Sequence, residues 1–505
     1  MLLISPPAVK ACEPPPGVAR LAGVLRGSGV SCRVVDANLD GQRWLLARSE
    51  VPDDTFTRRA LRHRERNLAL VSSWAGYRGA AAYRQAVTAL NRLMTAAPSA
   101  TGAFAGLSNY SDPVLQPFHS ADLCRAAEQP EASPFAGYFE ALIDAECIHR
   151  SPDIVGISVG FQSQALSAFH LIGALRRRLP AVRIILGGGL VTSWLRAGSG
   201  APDFTGLVDD LVAGPGEAFL LNLAGVDPAA AVLPDYSDFL PGRYFSPGPI
   251  VPYSTADGCF WRRCRFCPER AEASLWRPAP LGIAVSELAA LVQRHRPALI
   301  HLVDNALRPA LLERLCLDPP GAPWYGFVRF DQRLAEPDTA AALRRSGCVM
   351  LKLGLESGDQ GVLDAMDKGL RLETASRVLT TLHRAGIATY VYVLFGTPSE
   401  DETAARRTLA FVRAHAASVD YLNVAVFNLP AGSPDAVTLE TRPFSAADLG
   451  CYRDFVHPLG WHRRNVRRFV DGVFRKDPAI AAILRRAPPF FTSNHAPLFA
   501  LARTM

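Results

Sequence analysis

No apolar run in this 505-residue chain approaches the roughly 20 residues needed to cross a bilayer, so a helical membrane span is not expected. The opening Met-Leu-Leu-Ile-Ser-Pro-Pro is short and has no basic leader, so it reads as a first strand and not a secretory signal, with the cytoplasm as the expected address. No charge sign dominates. A formal net charge of +7 over this length does not call for nucleic acid or a membrane surface as partner, though it suits anionic small molecules or a mildly acidic protein. The ten cysteines show no disulfide framework spacing, and internal repeats and low-complexity tracts are lacking. What remains is an ordinary globular mixture, 49% hydrophobic and 20% charged, too long for a single core.

Short β-branched runs alternate with helical patterns through the N-terminal part. Strands are predicted at 2–5, 31–38, 153–159, 182–186 and 209–213, with helices at 17–27 and 165–179. This pattern predicts a doubly wound parallel sheet over 1–225, interrupted at about 42–152 by a helical insertion too long to be a simple βα connection. Prolines become dense over 226–249 (Pro228, Pro234, Pro241, Pro247, Pro249), which reads as a linker on a surface. A second βα series follows over 250–440, with strands predicted near 250–256, 299–304, 324–330, 349–356, 389–396 and 421–428. Six such units make an incomplete (βα)6 barrel, with chemistry expected on the loops at the carboxyl ends of its strands. The remainder, 441–505, reads as a helical, basic extension (Arg463, Arg464, Arg467, Arg468, Arg475, Arg485), either a solvated face or a binding surface for an anion.

The chemistry concentrates in Gly258-Cys259-Phe-Trp-Arg-Arg-Cys264-Arg-Phe-Cys267-Pro-Glu. Three thiolates on a short loop can hold three irons of a cubane 4Fe–4S cluster and leave the fourth iron without a protein ligand. Zinc is the rival, but a structural zinc site wants four N or S donors, and the nearest histidines, His295 and His301, lie beyond a predicted helix and inside a predicted strand. The arginines beside the thiols favour thiolate, and Phe260, Trp261 and Phe266 would shield a redox centre from water.

With these residues in place, the chain resembles the radical S-adenosylmethionine (SAM) enzymes, in the branch with an N-terminal cobalamin-binding-like domain. The resemblance is carried by Leu-Ile-Ser-Pro-Pro near the start, Asp153-Ile-Val-Gly-Ile-Ser158, Gly187-Gly188-Gly189, the cysteine loop, Gly354-Leu-Glu356-Ser357-Gly358, Met366-Asp-Lys-Gly369 and Leu394-Phe-Gly396-Thr397-Pro398-Ser-Glu400. It implies a 4Fe–4S cluster on Cys259, Cys264 and Cys267 that reductively cleaves SAM to a 5′-deoxyadenosyl radical, which abstracts hydrogen from a substrate. It also implies a flavodoxin- or ferredoxin-type electron donor. Carried over by position, Phe266 would pack beside the adenosyl group. Asp304 and Asn305 would meet the SAM amino group, Glu356 and Ser357 the ribose, and Gly396 and Thr397 the adenine.

Two departures stand out. Four residues separate the first two cysteines where the family commonly has three. And the run matching the family's Asp-x-His-x-x-Gly is Asp36-Ala-Asn38-Leu-Asp-Gly41, with Asn38 in place of a cobalt-ligating histidine. Ser158 and Gly187–Gly189 keep cobalamin binding open. With cobalamin the expected reaction is methylation of an unactivated carbon; without it, oxidation, cyclisation or rearrangement. The alternatives are a noncatalytic or zinc-filled protein retaining the fold, or a methylthiotransferase-like RNA modifier. The last would need a second cysteine triad, which the sequence lacks. The substrate class, whether natural product, peptide, lipid or other small molecule, is not legible.

Overall fold

The computed structural model describes all residues except 49–53, 98, 100–101, 198–200, 228–232, 240–241, 445–446 and 504–505. The chain forms two compact units. One contains 1–249 with 445–451 and 489–491; the other contains 250–444 with 452–488 and 492–505.

The first unit is built on a five-stranded parallel sheet: β1 (Leu2–Ser5), β2 (Arg33–Asp36), β3 (Ile154–Ser158), β4 (Arg183–Gly187) and β5 (Asp210–Leu211), in the order β2-β1-β3-β4-β5. Leu2, Leu3, Ile4 and Ser5 are all buried, as expected of a central strand covered on both faces. The strand order reverses between β1 and β3, and ligands of doubly wound sheets bind beyond the carboxyl ends at such a switch.

The 42–152 region, whose role the sequence did not reveal, covers this sheet's helix layer. Helix Gln162–Arg178 is buried from Gln164 through Gly173, a pattern no single sheet contact would give, because helix Ser120–Glu128 packs on its far side. The approach is close: a Cβ on Gly173 would lie 1.9 Å from the carbonyl oxygen of Ala127. The insertion is not wholly helical, since Phe104–Ala105 and Tyr110–Ser111 form a small antiparallel pair.

The 226–249 stretch differs from a surface linker. Tyr236, Phe239, Tyr244 and Phe245 are buried, and Asp235 and Asp238 both pair with Arg26. Aromatics between the prolines anchor it; Pro228 and Pro241 lie outside the described residues.

The second unit is a six-stranded, all-parallel sheet in sequential order: β6 (Ile250–Tyr253), β7 (Leu299–Leu302), β8 (Trp324–Val328), β9 (Cys348–Glu356), β10 (Ala388–Phe395) and β11 (Tyr421–Val426). Among the described residues β11 does not pair with β6, so the barrel is partial. Outward-facing Leu351, Leu353 and Leu355 are fully buried under helices, while the alternate positions Lys352 and Glu356 stay half-buried.

The extension beyond 440 differs from a helical, solvated tail. It begins with a three-stranded antiparallel sheet of Leu429–Pro430, Thr441–Pro443 and Tyr452–Phe455. Its last helix, Thr492–Ala502, is buried from His495 through Phe499 and packs on β9 and β10. That helix carries no charge before its end, so its apolar composition, masked by the arginines upstream, sends it inward. No helix among the described residues is long and apolar enough to cross a membrane.

Candidate functional site

The cysteine loop follows β6 at the carboxyl-end rim of the barrel. It opens at Gly258, whose φ of 71° only glycine adopts easily, and where a Cβ would lie 2.6 Å from the carbonyl oxygen of Leu275. Arg262 in the middle of the loop is also left-handed, at φ 50°. This residue falls in the interval that is one longer than the family's usual spacing, so the strained turn absorbs the extra residue. Cys264 is buried, and Cys259 and Cys267 are half-buried. Burial pushes the Cys267 thiol up to about 11, assisted by its neighbours Cys264 and Cys259 and opposed by the N–H groups of Glu269 and Arg270. Three thiols this close interact with one another. Yet among the described residues no three His, Cys, Asp or Glu side chains are arranged to hold a single metal ion. In a cubane each thiolate takes a different iron, so convergence on one point is not required, whereas tetrahedral zinc demands it.

A second loop locks the first in place. Met366-Asp-Lys-Gly369 lies against it: Arg265 N–H donates to Met366 O (2.9 Å), and Trp261 Nε1 donates to Asp367 O (3.1 Å). A Cβ on Gly369 would stand 2.1 Å from the Trp261 ring. Lys368 reaches the other way. Its Nζ donates to Glu356 Oε1 at 2.8 Å and lies 5.4 Å from the centre of the Phe266 ring. The pair is buried, with side chains 8% and 12% exposed. Glu356 ends β9 at φ 65°, just after a register shift against β10, and Gly354 leaves the room its carboxylate and Lys368 occupy.

The fifth strand adds the remaining wall. Phe266, Met366, Thr397, Pro398 and Ser399 line a cavity of about 200 Å³, with Arg265 and Asp435 paired at its edge (2.8 Å). Phe266 packs on Val362, Met366 and Ala404. Thr397 is buried and its Oγ1 has no hydrogen-bond partner among the described residues. Gly396 (φ 87°) donates its N–H to Glu400, which also accepts from Trp461 Nε1 at 3.2 Å. Burial raises the Glu400 carboxyl to about 8, against the opposing Gly396 and Trp461 donors. His457 Nε2 contacts the Thr397 carbonyl at 2.9 Å.

Cys259, Cys264, Cys267, Phe266, Glu356, Gly396 and Thr397 thus share one rim. Two other nominated residues are committed elsewhere. Ser357 is fully buried, its hydroxyl against Thr408 Oγ1 (3.2 Å) and accepting from Asp359 N–H (3.1 Å), so it braces the strand end and does not face a ligand. Asp304 is buried and accepts from Thr255 Oγ1 (2.6 Å) and Thr255 N–H, tying β6 to β7; Asn305 beside it is exposed. Sequence reasoning missed Arg329, Lys368, Glu400, His457 and Trp461. Lys368 stood inside a quoted motif, but only the fold shows that it faces Glu356.

At the carboxyl end of the first unit's sheet the outcome differs. Asn38 lies in helix Ala37–Ala47, and the strand before it ends two residues earlier than predicted because Asp36 caps the helix through Leu39 N–H (3.0 Å). Its Oδ1 accepts from Val9 N–H and Gln42 Nε2, both at 2.8 Å, and the side chain is 3% exposed. Its amide oxygen is thus committed within the protein. Ser158 is half-buried at the end of β3. Gly188 (φ 106°) lets the β4 turn approach Val159, whose carbonyl a Cβ would meet at 2.5 Å; Gly187 and Gly189 flank that turn.

No family model matches the chain. Its fold, a doubly wound N-terminal sheet followed by a partial (βα) barrel, is similar to that of solved radical SAM enzymes. The radical SAM methyltransferase TsrM from Kitasatospora setae, solved with cobalamin and a 4Fe–4S cluster, superposes with a TM-score of 0.52 at 17% identity, over 87% of this chain and 77% of its own. The same enzyme with tryptophan and a SAM analogue gives 0.51 at 15% identity, over 93% and 82%. OxsB, a cobalamin-dependent SAM radical enzyme solved with aqua-cobalamin, gives 0.50 at 15%, over 67% and 60%. In sequence, the bacteriochlorophyllide d C-12(1)-methyltransferase of Chlorobaculum tepidum is 34% identical over 80 residues, 16% of this chain and 18% of that protein's length.

Proposed function

We propose that this chain is a radical SAM enzyme with a cobalamin-binding first unit, and that it methylates an unactivated carbon of a small molecule. One observation carries the reading: the cysteine loop is locked by the 366–369 turn onto the same rim that presents the Glu356–Lys368 pair and the cavity at Thr397. Cys259, Cys264 and Cys267 would hold a 4Fe–4S cluster, whose chemistry, when bound, is to supply the electron that cleaves the SAM sulfonium, with cobalamin as the methyl carrier.

This chain's residues then position and shield. Lys368 fixes Glu356 Oε1, leaving Oε2 to accept from ribose hydroxyls. Phe266 and Met366 give an apolar wall, and Thr397 Oγ1 supplies a donor or acceptor for the adenine edge. In the first unit, the turns at Ser158 and Gly187–Gly189 would seat cobalamin at the carboxyl end of the sheet, with no cobalt ligand from Asn38. The electron is taken from a small donor of the flavodoxin or ferredoxin type, and the expected setting is the cytoplasm. The fold resemblance and the methyltransferase relative support methyl transfer over oxidation or cyclisation.

Anaerobic reconstitution with iron and sulfide, then SAM and dithionite, is expected to yield 5′-deoxyadenosine, and added cobalamin a protein-bound corrin spectrum. Cys264→Ala should abolish the nucleoside product while the first unit stays folded. Undiminished product from that variant, or iron-free wild-type protein after reconstitution, would overturn the reading.

A further inference from the structure

We infer that Arg329 is a positioning residue for Cys264 that makes a cluster held on the cysteine loop easier to reduce; this deepens the function proposed above and rests on it. Arg329 follows the last residue of β8, two strands along the sheet from the one that leads into the loop, which brings it to the same rim. Three contacts hold its guanidinium. Nη1 donates to Cys264 Sγ at 3.7 Å, Nη2 donates to the Lys368 carbonyl, and the plane sits 4.1 Å from the centre of the Trp261 ring. Trp261 is itself pinned by Asp367 and by the glycine at 369. The guanidinium is therefore fixed and not a freely rotating surface charge.

Several neighbouring cations spend their charge on carboxylates. Lys368 faces Glu356, Arg265 faces Asp435 and Arg263 faces Asp367. Among the described residues Arg329 has no carboxylate within ion-pair distance, so its full charge acts on the thiolate it touches. Half-burial weakens the solvent screening of that charge. One electron entering a cluster adds one negative charge, with no bond broken and no proton moved. A fixed cation donating to a ligand sulfur stabilises that reduced state and raises the potential. The same side chain lines an outer groove of about 670 Å³ with Phe260 and Trp261, so the cation stands between that groove and Cys264.

The test is a dithionite potentiometric titration, read by electron paramagnetic resonance without SAM, on reconstituted wild type, Arg329→Lys, Arg329→Gln and Arg329→Met, with iron and sulfide measured on each. The midpoint is expected to move to more negative potential in the Gln and Met variants at full iron content, with Lys closer to wild type. Equal midpoints in all four would overturn the inference. If Gln and Met lose iron while Lys keeps it, a charge at Cys264 is still required; if all three lose it, Arg329 is only a brace for Trp261 and the inference fails. Wild-type protein that takes up no iron would instead remove the cluster reading itself.

Discussion

The two parallel sheets end in rims of the same kind, glycine turns beyond the carboxyl ends of buried strands, yet they differ in backbone strain and in how their nominated polar residues are committed. In the first unit the nominated Asn38 commits its amide oxygen to Val9 and Gln42 within the protein. In the barrel the polar groups are held but not exhausted: Thr397 Oγ1 is buried without a partner among the described residues, and Glu356 is clamped through one oxygen. A buried polar atom left unsatisfied costs about 1–3 kcal/mol, which folding alone does not favour. The barrel rim also concentrates left-handed non-glycine residues, Arg262, Glu356 and Asp367. Among the described residues a buried amide oxygen, that of Gln42, also lacks a partner in the first unit, so it is the strained backbone more than the orphaned polar atom that marks the barrel rim as organised around a ligand.

Gly369→Val attacks this contrast hardest. Its φ of 63° and the 2.1 Å approach to Trp261 leave no room for a side chain, so we expect a cost of about 3–4 kcal/mol at that loop and at least a tenfold loss of retained iron. Far-ultraviolet circular dichroism should be little changed; normal iron content would show that the loop is not locked by this turn. Glu356→Gln removes the partner of buried Lys368, and about 2–3 kcal/mol of local stability and tenfold or more in affinity for S-adenosylhomocysteine should go with it. Calorimetry with the nucleoside checks this.

A pH series sharpens the picture. Glu400 is raised to about 8 by burial from an ordinary value near 4.5, so between those values the folded chain keeps a proton the unfolded chain has lost. Stability should therefore fall by about 4 kcal/mol as pH rises through that window, and Glu400→Gln should flatten the fall. Denaturant titrations at pH 5.5 and 8.5 read both. The smallest effect is expected on the other rim: Asn38→Ala should cost the first unit about 1–2 kcal/mol and leave any corrin spectrum unchanged. A changed corrin spectrum would return Asn38 to the site.

Much of this was legible because β-branched runs and glycine turns encode a parallel sheet locally. The strands near Ile250, Leu299, Trp324, Val349, Thr389 and Tyr421 fall within a few residues of where periodicity put them. The cysteines were legible because their spacing is itself the chemistry. Lys368, Arg329 and Trp461 were not, because each acts across loops that only the barrel brings together. Ser357 shows the reverse failure: the resemblance placed it with Glu356 at the ribose, but successive residues at a strand end point to opposite faces, and its hydroxyl meets Thr408. The buried Thr492–Ala502 helix escaped notice because the arginines upstream coloured the whole extension as basic.

Gly369 has a consequence for anyone who would move this centre to another barrel. Because its backbone fills the space under the Trp261 ring, the nine residues from Cys259 to Cys267 have no stable shape of their own. A graft has to carry both loops as one cassette, with an arginine from the end of β8, or the thiols will arrive without the mould that shapes them.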